Sequence, residues 1–470
     1  MAVSVATEHT ARGWWLQEAE PTTGLPPLEG ELSADLVVVG GGYTGMWTAW
    51  FVSELEPEAR VVLLEAERCG AGPSGRNGGF VNAMWFSLPA LRRRFGEAAA
   101  LRLTRASQDA VEGIGRWCEE QRVDAWYRAG GYLQVSTAPA HDGSWRAVAD
   151  ACAELGVAGA CRPQSEAEVR ARCDSPIFRA GAFYPVAATV QPARLALGLR
   201  ARLQQRGVRI FEGSRVRRLP ARSAGVEAQT DRGSVRAPRA ALATGPALAG
   251  HRPLRRRLTV TSSHMVITEP VPDVLTELGW TGGECITDSR AMVHYFRTTP
   301  DGRIAFGWGG GRVAPGARLD GRAELDRSVV AEVERHLIRF FPALQGRRVE
   351  HAWGGPIDVS PTHLPVVGSI DDDRVHYAFG YTGNGVGPAR VAGRILASLA
   401  LDRRDEVTRL PIVEPPPVRV PPEPLRYAGG TIVRAALLRR ERLEEEGRRP
   451  GPLTRAIAGL PERIGIHVGR

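Results

Sequence analysis

A glycine-rich segment near the start of the chain has the residue types and spacing that bind a dinucleotide. Residues 34–42 read ADLVVVGGG, an apolar, β-branched run typical of a parallel strand buried on both faces. Glycines spaced as GxGxxG follow, then an apolar stretch at helical spacing, then a second strand-like run that ends in an acid. The predicted binding residues are Gly40, Gly42, Gly45 and Glu65. The segment therefore predicts a strand, turn, helix and strand that hold a pyrophosphate.

Each of these residue types has a physical reason. Gly40 permits a tight turn, Gly42 lets the backbone approach the pyrophosphate, and Gly45 lets the helix pack against the strand. The helix N-terminus presents free N–H groups and a partial positive charge to the phosphates. Glu65, about twenty residues after Gly45, is placed to bind the adenosine ribose hydroxyls and disfavours a 2′-phosphate.

A second loop distinguishes the candidate ligands. Residues 69–80 read CGAGPSGRNGGF, and a nicotinamide dinucleotide needs no such loop after the acid, whereas the longer FAD does. The loop resembles one that lies against the flavin in the FAD-dependent D-amino-acid oxidase and glycine oxidase superfamily. The residues that carry this resemblance are Ser74, Gly75, Arg76, Asn77, Gly78 and Gly79.

Three later segments extend the resemblance over most of the chain. Residues 189–219 resemble the stretch that places the backbone at Val216 against the adenine, and residues 240–246, AALATGP, resemble the turn that brings Thr244 and Gly245 to FAD. Residues 376–401 resemble the flavin-binding strand, glycine loop and helix, and the helix N-terminus there favours negative charge. The implied FAD contacts in this segment are Gly380, Tyr381, Gly383, Asn384, Gly385 and Val386.

The pattern is most similar to the γ-glutamylputrescine oxidase-like branch of the superfamily, over about residues 10–410. The resemblance implies an α/β fold: a Rossmann-like FAD-binding domain of the GR2 type with an inserted substrate domain of mainly antiparallel β-sheet plus helices. We expect a discontinuous FAD-binding domain at 1–87, 185–258 and 350–410. The substrate domain is expected at 88–184 and 259–349, followed by a proline-rich linker and basic helical tail at 411–470.

The resemblance implies oxidation of the CH–NH bond of an amine, amino acid or aminophosphonate-like substrate, with hydride transfer to flavin N5. An acidic substrate group favours an arginine, and Arg297 is the first candidate. Tyr295 and Trp353 are expected to line the site, as are His294 and Tyr381. His264 is expected to supply a charge near the flavin.

Two departures from the superfamily affect the chemistry. No cysteine occurs after Cys285, which excludes the covalent link to FAD that some relatives use and predicts non-covalent FAD. All 61 basic side chains are arginine, so the lysine that activates oxygen in those relatives is absent. The electron acceptor is therefore either O2, with Arg76, His264 or a histidine one layer behind the site as the substitute cation, or another acceptor.

Other functions are weighed against this one. An NAD(P)H-dependent monooxygenase would need a nicotinamide site, and a non-catalytic flavin-bound protein would use the tail to hold a partner. The six cysteines form no metal-ligand or disulfide pattern, so no metal is predicted and a cytoplasmic protein is expected. The net charge of +9 is read as solvated arginine, not as a nucleic-acid site. No apolar run is long enough for a transmembrane segment. The basic tail is a candidate surface or partner contact, but a helix packed on its own domain is favoured because the acidic stretch at residues 441–446 argues against a membrane face.

Overall fold

The computed structural model describes residues 8–9, 13–19, 23–222, 225–463 and 465–468. The predicted domain ranges that begin at residue 1 and end at residue 470 extend outside these residues. The described fold is mixed α/β, as predicted, with one mainly parallel and one mainly antiparallel large sheet. None of the described helices combines the length and the apolar character needed to cross a bilayer.

Within the described residues, six strands form a mainly parallel sheet. Five neighbouring strands run parallel, and the sixth pairs antiparallel at one edge. Across the sheet the strands are Arg209–Phe211, Val61–Leu64, Leu36–Val39, Arg239–Leu242, Val375–Phe379 and Val366–Ile370. The Leu36–Val39 strand is buried along its whole length, as its continuous apolar run predicts.

Nine of the described strands form the second large sheet. In order across the sheet they are Glu8–His9, Val349–Val359, Thr259–Thr268, Ile304–Trp308, His294–Thr298, Cys285–Asp288, Tyr132–Val135, Gly181–Tyr184 and Arg162–Gln164. The predicted domain boundary at residue 350 thus falls inside a strand of this sheet. The long strand Val349–Val359 carries the chain from the antiparallel sheet back toward the parallel one.

Smaller elements complete the described structure. A four-stranded sheet contains Ala221–Arg222, Gly225–Gln229, Gly233–Ala237 and Gly30–Ser33, and a two-stranded one contains Phe80–Asn82 and Ala187–Thr189. The α-helices are Trp14–Glu18, Tyr43–Leu55, Pro73–Arg76, Leu88–Phe95, Glu97–Glu120, Arg146–Glu154, Glu166–Arg172, Pro192–Gln205, Pro272–Glu277, Arg327–Phe340, Val386–Ala400, Leu425–Glu445, Pro452–Ala458 and Leu460–Arg463.

The helices that begin at the two predicted flavin loops pack directly on each other. Tyr43–Leu55 lies against Val386–Ala400, and a Cβ at Gly393 would stand 2.6 Å from the Cβ of Trp47. Because this glycine allows such a close approach, the two helix N-termini are held side by side. Trp117 of Glu97–Glu120 packs edge-on against Trp47 at 5.2 Å and closes this core.

Candidate active site

A cavity of about 1460 Å³ runs along the carboxyl-terminal edge of the parallel sheet. Five consecutive strands of the sheet end there, which is where open α/β sheets bind their ligands. The residues that follow these strands belong to separate segments of the chain, and the sequence predicts them as FAD contacts. Those that line the cavity are Gly40, Gly42, Glu65, Val216, Thr244, Gly245, Tyr381, Gly383, Asn384, Gly385 and Val386.

The first glycine turn has the geometry expected of a pyrophosphate cradle. Gly40 has φ +110, and a Cβ there would lie 2.6 Å from the carbonyl oxygen of Ala243. A Cβ on Gly45 would strike the carbonyl oxygen of Gly40, so Gly45 lies behind the cavity and packs the helix on the turn. A Cβ on Gly42 would meet only Ser74 Oγ, at 3.0 Å, so Gly42 leaves room on the cavity side.

Glu65 follows the second strand of the predicted dinucleotide unit and lines the cavity. Its carboxylate accepts hydrogen bonds from the Gly41 N–H at 2.6 Å and the Glu67 N–H at 2.9 Å. Burial raises the pKa of this carboxyl, although the backbone donors oppose the shift. The acid is therefore held at the edge of the cavity by backbone groups of the glycine turn.

The second loop is shaped by Asn77 and joined to the first. The Asn77 side chain donates to the carbonyl of Ser74 at 2.8 Å and accepts from the Gly79 N–H at 2.8 Å. Ser74 Oγ accepts the Tyr43 N–H at 2.9 Å, which links this loop to the first helix N-terminus. Ser74, Asn77 and Gly78 line the cavity, whereas Gly79 lies behind it with φ +74.

Arg76 and Trp353 meet at the same wall of the cavity. Trp353 donates its indole N–H to the Arg76 carbonyl at 2.8 Å, and both residues line the cavity. The Arg76 guanidinium lies 3.7 Å from Glu324, and burial lowers its pKa from the usual value. Trp15 packs edge-on against Trp353 at 6.0 Å, so the N-terminal aromatic arm supports this wall from behind.

Tyr295, which the sequence predicts to line the substrate site, lies on the His294–Thr298 strand and lines the cavity. Its hydroxyl is hydrogen-bonded to Ser263 Oγ at 2.7 Å, and burial raises its pKa to about 12. A Cβ on Gly78 would lie 3.0 Å from the Tyr295 ring. The second glycine loop therefore packs closely over this tyrosine.

Arg297 occupies a different position from the one expected of a substrate-binding arginine. It is buried and does not line the cavity. Its guanidinium donates to the Val190 carbonyl and to Thr298 O at 3.0 Å, and reaches Gly79 O at 3.5 Å. No described carboxylate pairs with it, and burial lowers its pKa to about 10. The structure thus places an unneutralised cation directly behind the second glycine loop.

The two predicted histidines also lie behind the cavity wall. His264 Nε2 accepts the Asp326 N–H at 2.9 Å, and burial lowers the pKa of His264 to about 4, so the ring is neutral at pH 7. His294 Nδ1 is bonded to Asp288 Oδ2 at 2.6 Å and Nε2 to His336 Nδ1 at 2.8 Å. Neither ring lines the cavity.

The third loop, residues 380–386, is held by an acid that the sequence reasoning missed. Asp358 lines the cavity and accepts the Gly380 N–H at 2.5 Å, and burial raises its pKa to about 6. Gly380 has φ +85 and lies behind the cavity, where a Cβ would stand 2.6 Å from the Cβ of Ser360. The Tyr381 hydroxyl meets Thr44 Oγ1 at 2.7 Å and joins this loop to the first helix.

Asp358 carries only a weak sequence signal. It lies on the strand Val349–Val359, where buried and partly buried residues alternate. A single acid in such a run is not by itself a functional motif. The C-terminal residues that line the cavity, among them Val433 and His467, were also missed. Their sequence indicates a basic helical tail, and only tertiary packing brings them to the site.

The described residues fit FAD. Three loops with exposed backbone meet along one cavity, two helices begin at it, and the acid Glu65 lies at its edge after the second strand, where a ribose would bind. Any side chain at position 42 would fill the space beside the backbone, so glycine at this position is what a phosphate-binding turn requires. This combination defines a dinucleotide-binding oxidoreductase with a long cofactor site.

Comparison with known proteins agrees with this class. Residues 35–399 match the family described as FAD dependent oxidoreductase, and the chain belongs to that family. It is 28% identical over 418 residues to gamma-glutamylputrescine oxidoreductase of Escherichia coli, covering 86% of this chain and 93% of that protein. The fold is similar to glycine oxidase of Bacillus cereus, with TM-score 0.66 and 17% identity over 80% of this chain and 97% of that one. It is also similar to L-proline dehydrogenase from P. horikoshii, with TM-score 0.65 and 18% identity over 82% and 96% of the two chains.

Proposed function

We propose that this FAD-dependent oxidoreductase binds FAD without a covalent bond and oxidises the CH–NH bond of an amine, amino acid or aminophosphonate-like compound. The observation that carries the proposal is the convergence of three separated glycine loops on one cavity. The names of the relatives, an amine oxidoreductase and a glycine oxidase, support the substrate class. All six cysteines are described, and none lines the cavity, which supports non-covalent binding.

When bound, FAD accepts a hydride from the carbon next to the substrate nitrogen, and water hydrolyses the resulting imine. The glycine turn at Gly42 and the helix that follows would hold the pyrophosphate, and Glu65 would hold the adenosine ribose. The loop at residues 380–386 and the helix Val386–Ala400 would hold the redox-active end of the cofactor. The N-terminus of that helix favours the negative charge that reduction adds.

The substrate side of the cavity is formed by Tyr295 and Trp353. Both are fixed by hydrogen bonds, Tyr295 to Ser263 and Trp353 to the Arg76 carbonyl. Rigid aromatic walls orient a substrate and exclude water, and orientation supplies a large part of the rate in a hydride transfer. Neither residue needs to move a proton, because the substrate reacts as the neutral amine.

Two arginines supply positive charge in place of the missing lysine. Arg76 lines the cavity, and Arg297 stands one layer behind it without a carboxylate partner among the described residues. Charge in a buried site acts over several ångströms because it is poorly screened. We assign Arg297 an electrostatic role through the second glycine loop, since its guanidinium is already bonded to backbone carbonyls. His264 is neutral at pH 7 and is assigned the role of holding Asp326.

The test is an anaerobic screen of amines and amino acids against the purified holoenzyme, with the oxidised flavin absorbance as the signal. At least one amine should bleach the band without NADPH, and admission of air then shows whether O2 is the acceptor. Bleaching by NADPH combined with no response to any amine or amino acid would overturn the proposal in favour of a monooxygenase.

A further inference from the structure

The cavity has a wall that the matched family region does not supply. The family match ends at residue 399, yet the helix Leu425–Glu445 contributes residues to the cavity. Four of them recur at every fourth position and so share one helix face. These residues, here called the tail wall, are Leu425, Gly429, Val433 and Leu437.

The helix is fixed in place by polar anchors to loops that follow strands of the nine-stranded sheet and to the helix Arg327–Phe340. Arg434 donates to the Gly310 and Gly311 carbonyls, the latter at 2.8 Å. The buried Glu441 carboxylate accepts the Met292 N–H at 2.8 Å. Glu445 forms ion pairs with two arginines, Arg290 of the loop before Tyr295 and Arg339 of the helix Arg327–Phe340. The tail wall is therefore a part of the enzyme body and not a free basic arm.

The tail wall packs against residues that precede the substrate side of the cavity on the chain. Val433 and Leu437 belong to an apolar cluster against which Ala291 and Met292 pack. Both of those residues line the cavity, only a few positions before Tyr295 on the chain. An apolar surface thus leads from the aromatic wall of the reaction site to the C-terminal helix.

Gly429 sits in the interior of the helix, where glycine is destabilising relative to alanine. A Cβ at this position would meet no atom within 4 Å, and its backbone has no positive φ. Neither close packing nor backbone conformation therefore requires glycine here. At the neighbouring Gly430, by contrast, a Cβ would lie 3.0 Å from Val313. Gly429 and Leu425 are exposed as well as lining the cavity, so the missing side chain of Gly429 leaves open space at the solvent-exposed part of the tail wall.

The charges around the tail wall disfavour a second cation. Arg426 and Arg434 line the cavity beside it, whereas the acidic residues Glu441, Glu444 and Glu445 of the same helix do not. Both arginines already donate to backbone carbonyls. Arg426 also forms an ion pair with Glu423 at 2.8 Å, and that carboxylate does not line the cavity. The described part of the helix thus offers an apolar stripe beside Arg434, and none of its own carboxylates lines the cavity to bind a distal ammonium group.

We propose that the tail wall is a subsite for an unbranched apolar extension of the substrate, and that Gly429 sets the length it accepts. This inference rests on the proposed function, because it assigns the substrate class of the same site. The subsite favours a monoamine with an alkyl chain over a diamine of equal length. Each methylene buried along the wall adds about fourfold to affinity, from the transfer free energy of a CH2 group.

The test compares Gly429→Leu with Ala428→Leu in the holoenzyme. Ala428 is the adjacent exposed residue on the same helix and does not line the cavity, so both variants add the same side chain. The ligands are ethylamine, hexylamine, 1,6-diaminohexane and 6-aminohexanoate. Two readouts are used: the rate of anaerobic flavin bleaching and the dissociation constant from calorimetry.

We expect the parent enzyme to bind hexylamine at least tenfold more tightly than ethylamine, and more tightly than the diamine and the amino acid. Gly429→Leu should weaken hexylamine binding at least tenfold and leave ethylamine within twofold, while Ala428→Leu should leave both unchanged. Equal binding of both amines, tighter binding of the diamine or of 6-aminohexanoate, or no effect of Gly429→Leu would overturn the inference. Length-dependent binding without bleaching by any amine would sustain the subsite and reject the proposed function, so the two failures are distinguishable.

Discussion

Replacement of Asp358 by asparagine separates the charge of this side chain from its hydrogen bond. The carboxylate is buried and accepts the Gly380 N–H at 2.5 Å, so it holds the third cofactor loop. Burial raises its pKa from 3.8 to about 6, because ionisation in the fold loses hydration. Asparagine retains an acceptor oxygen and carries no charge.

The magnitude follows from the difference between the two pKa values. A shift of about two units corresponds to about 3 kcal/mol, at 1.36 kcal/mol per unit. The pKa of Asp358 is higher in the folded protein than in the unfolded chain. The stability that the protonated acid contributes is therefore complete below about pH 4 and is lost as the pH rises through about 6. The free energy of unfolding of Asp358→Asn, relative to the parent, should therefore increase by about 3 kcal/mol between pH 4 and pH 7.

The assay is urea denaturation of both holoenzymes, followed by tryptophan fluorescence at a series of pH values. Asp109→Asn is the matched control, since Asp109 is exposed on the helix Glu97–Glu120. Its difference from the parent should stay within about 0.5 kcal/mol at every pH. A difference for Asp358→Asn that is flat, or that falls as the pH rises, would refute the assignment of a carboxyl destabilised by burial.

Four further substitutions test the cofactor site. Gly42→Val should abolish FAD retention, because its side chain would occupy space that the pyrophosphate needs, and its Cβ would also press on Ser74 Oγ at 3.0 Å; a fully yellow variant would contradict this. Gly45→Ala should lower the free energy of unfolding by about 1–3 kcal/mol, because its Cβ strikes the Gly40 carbonyl, and thermal unfolding measures it. Trp353→Phe removes the hydrogen bond to the Arg76 carbonyl and should weaken FAD binding by about 1 kcal/mol in a calorimetric titration. Unchanged affinity would contradict the proposal that Trp353 forms a wall of the cofactor and substrate site. Arg297→Met should make the flavin midpoint potential more negative, whereas an unchanged potential would leave this arginine a purely structural role.

The cofactor half of the site could be predicted because its requirements are local. A glycine turn between a buried strand and a helix fixes Gly40, Gly42 and Gly45 in one geometry, and the carboxyl ends of parallel strands meet at one edge. Glu65 follows from the same unit. The structure confirms the predicted fold class and brings most of these residues to one cavity.

The substrate half depended on packing that no local pattern encodes. Tyr295 and Arg297 share one face of a strand, as the alternation of side chains requires. The second glycine loop lies so that Tyr295 reaches the cavity, whereas the loop covers Arg297. The acids of the C-terminal helix likewise suggest a solvated surface in the sequence, but Glu441 and Glu445 turn inward onto the protein.

The visible spectrum and flavin content of the purified protein test the central claim most directly. The protein should be yellow, and denaturation should release about one FAD per chain into solution, because the proposed site would hold the cofactor with three loops and no covalent bond. A colourless chain that takes up no FAD on incubation would contradict the whole account, and flavin that stays with the denatured polypeptide would contradict the non-covalent site.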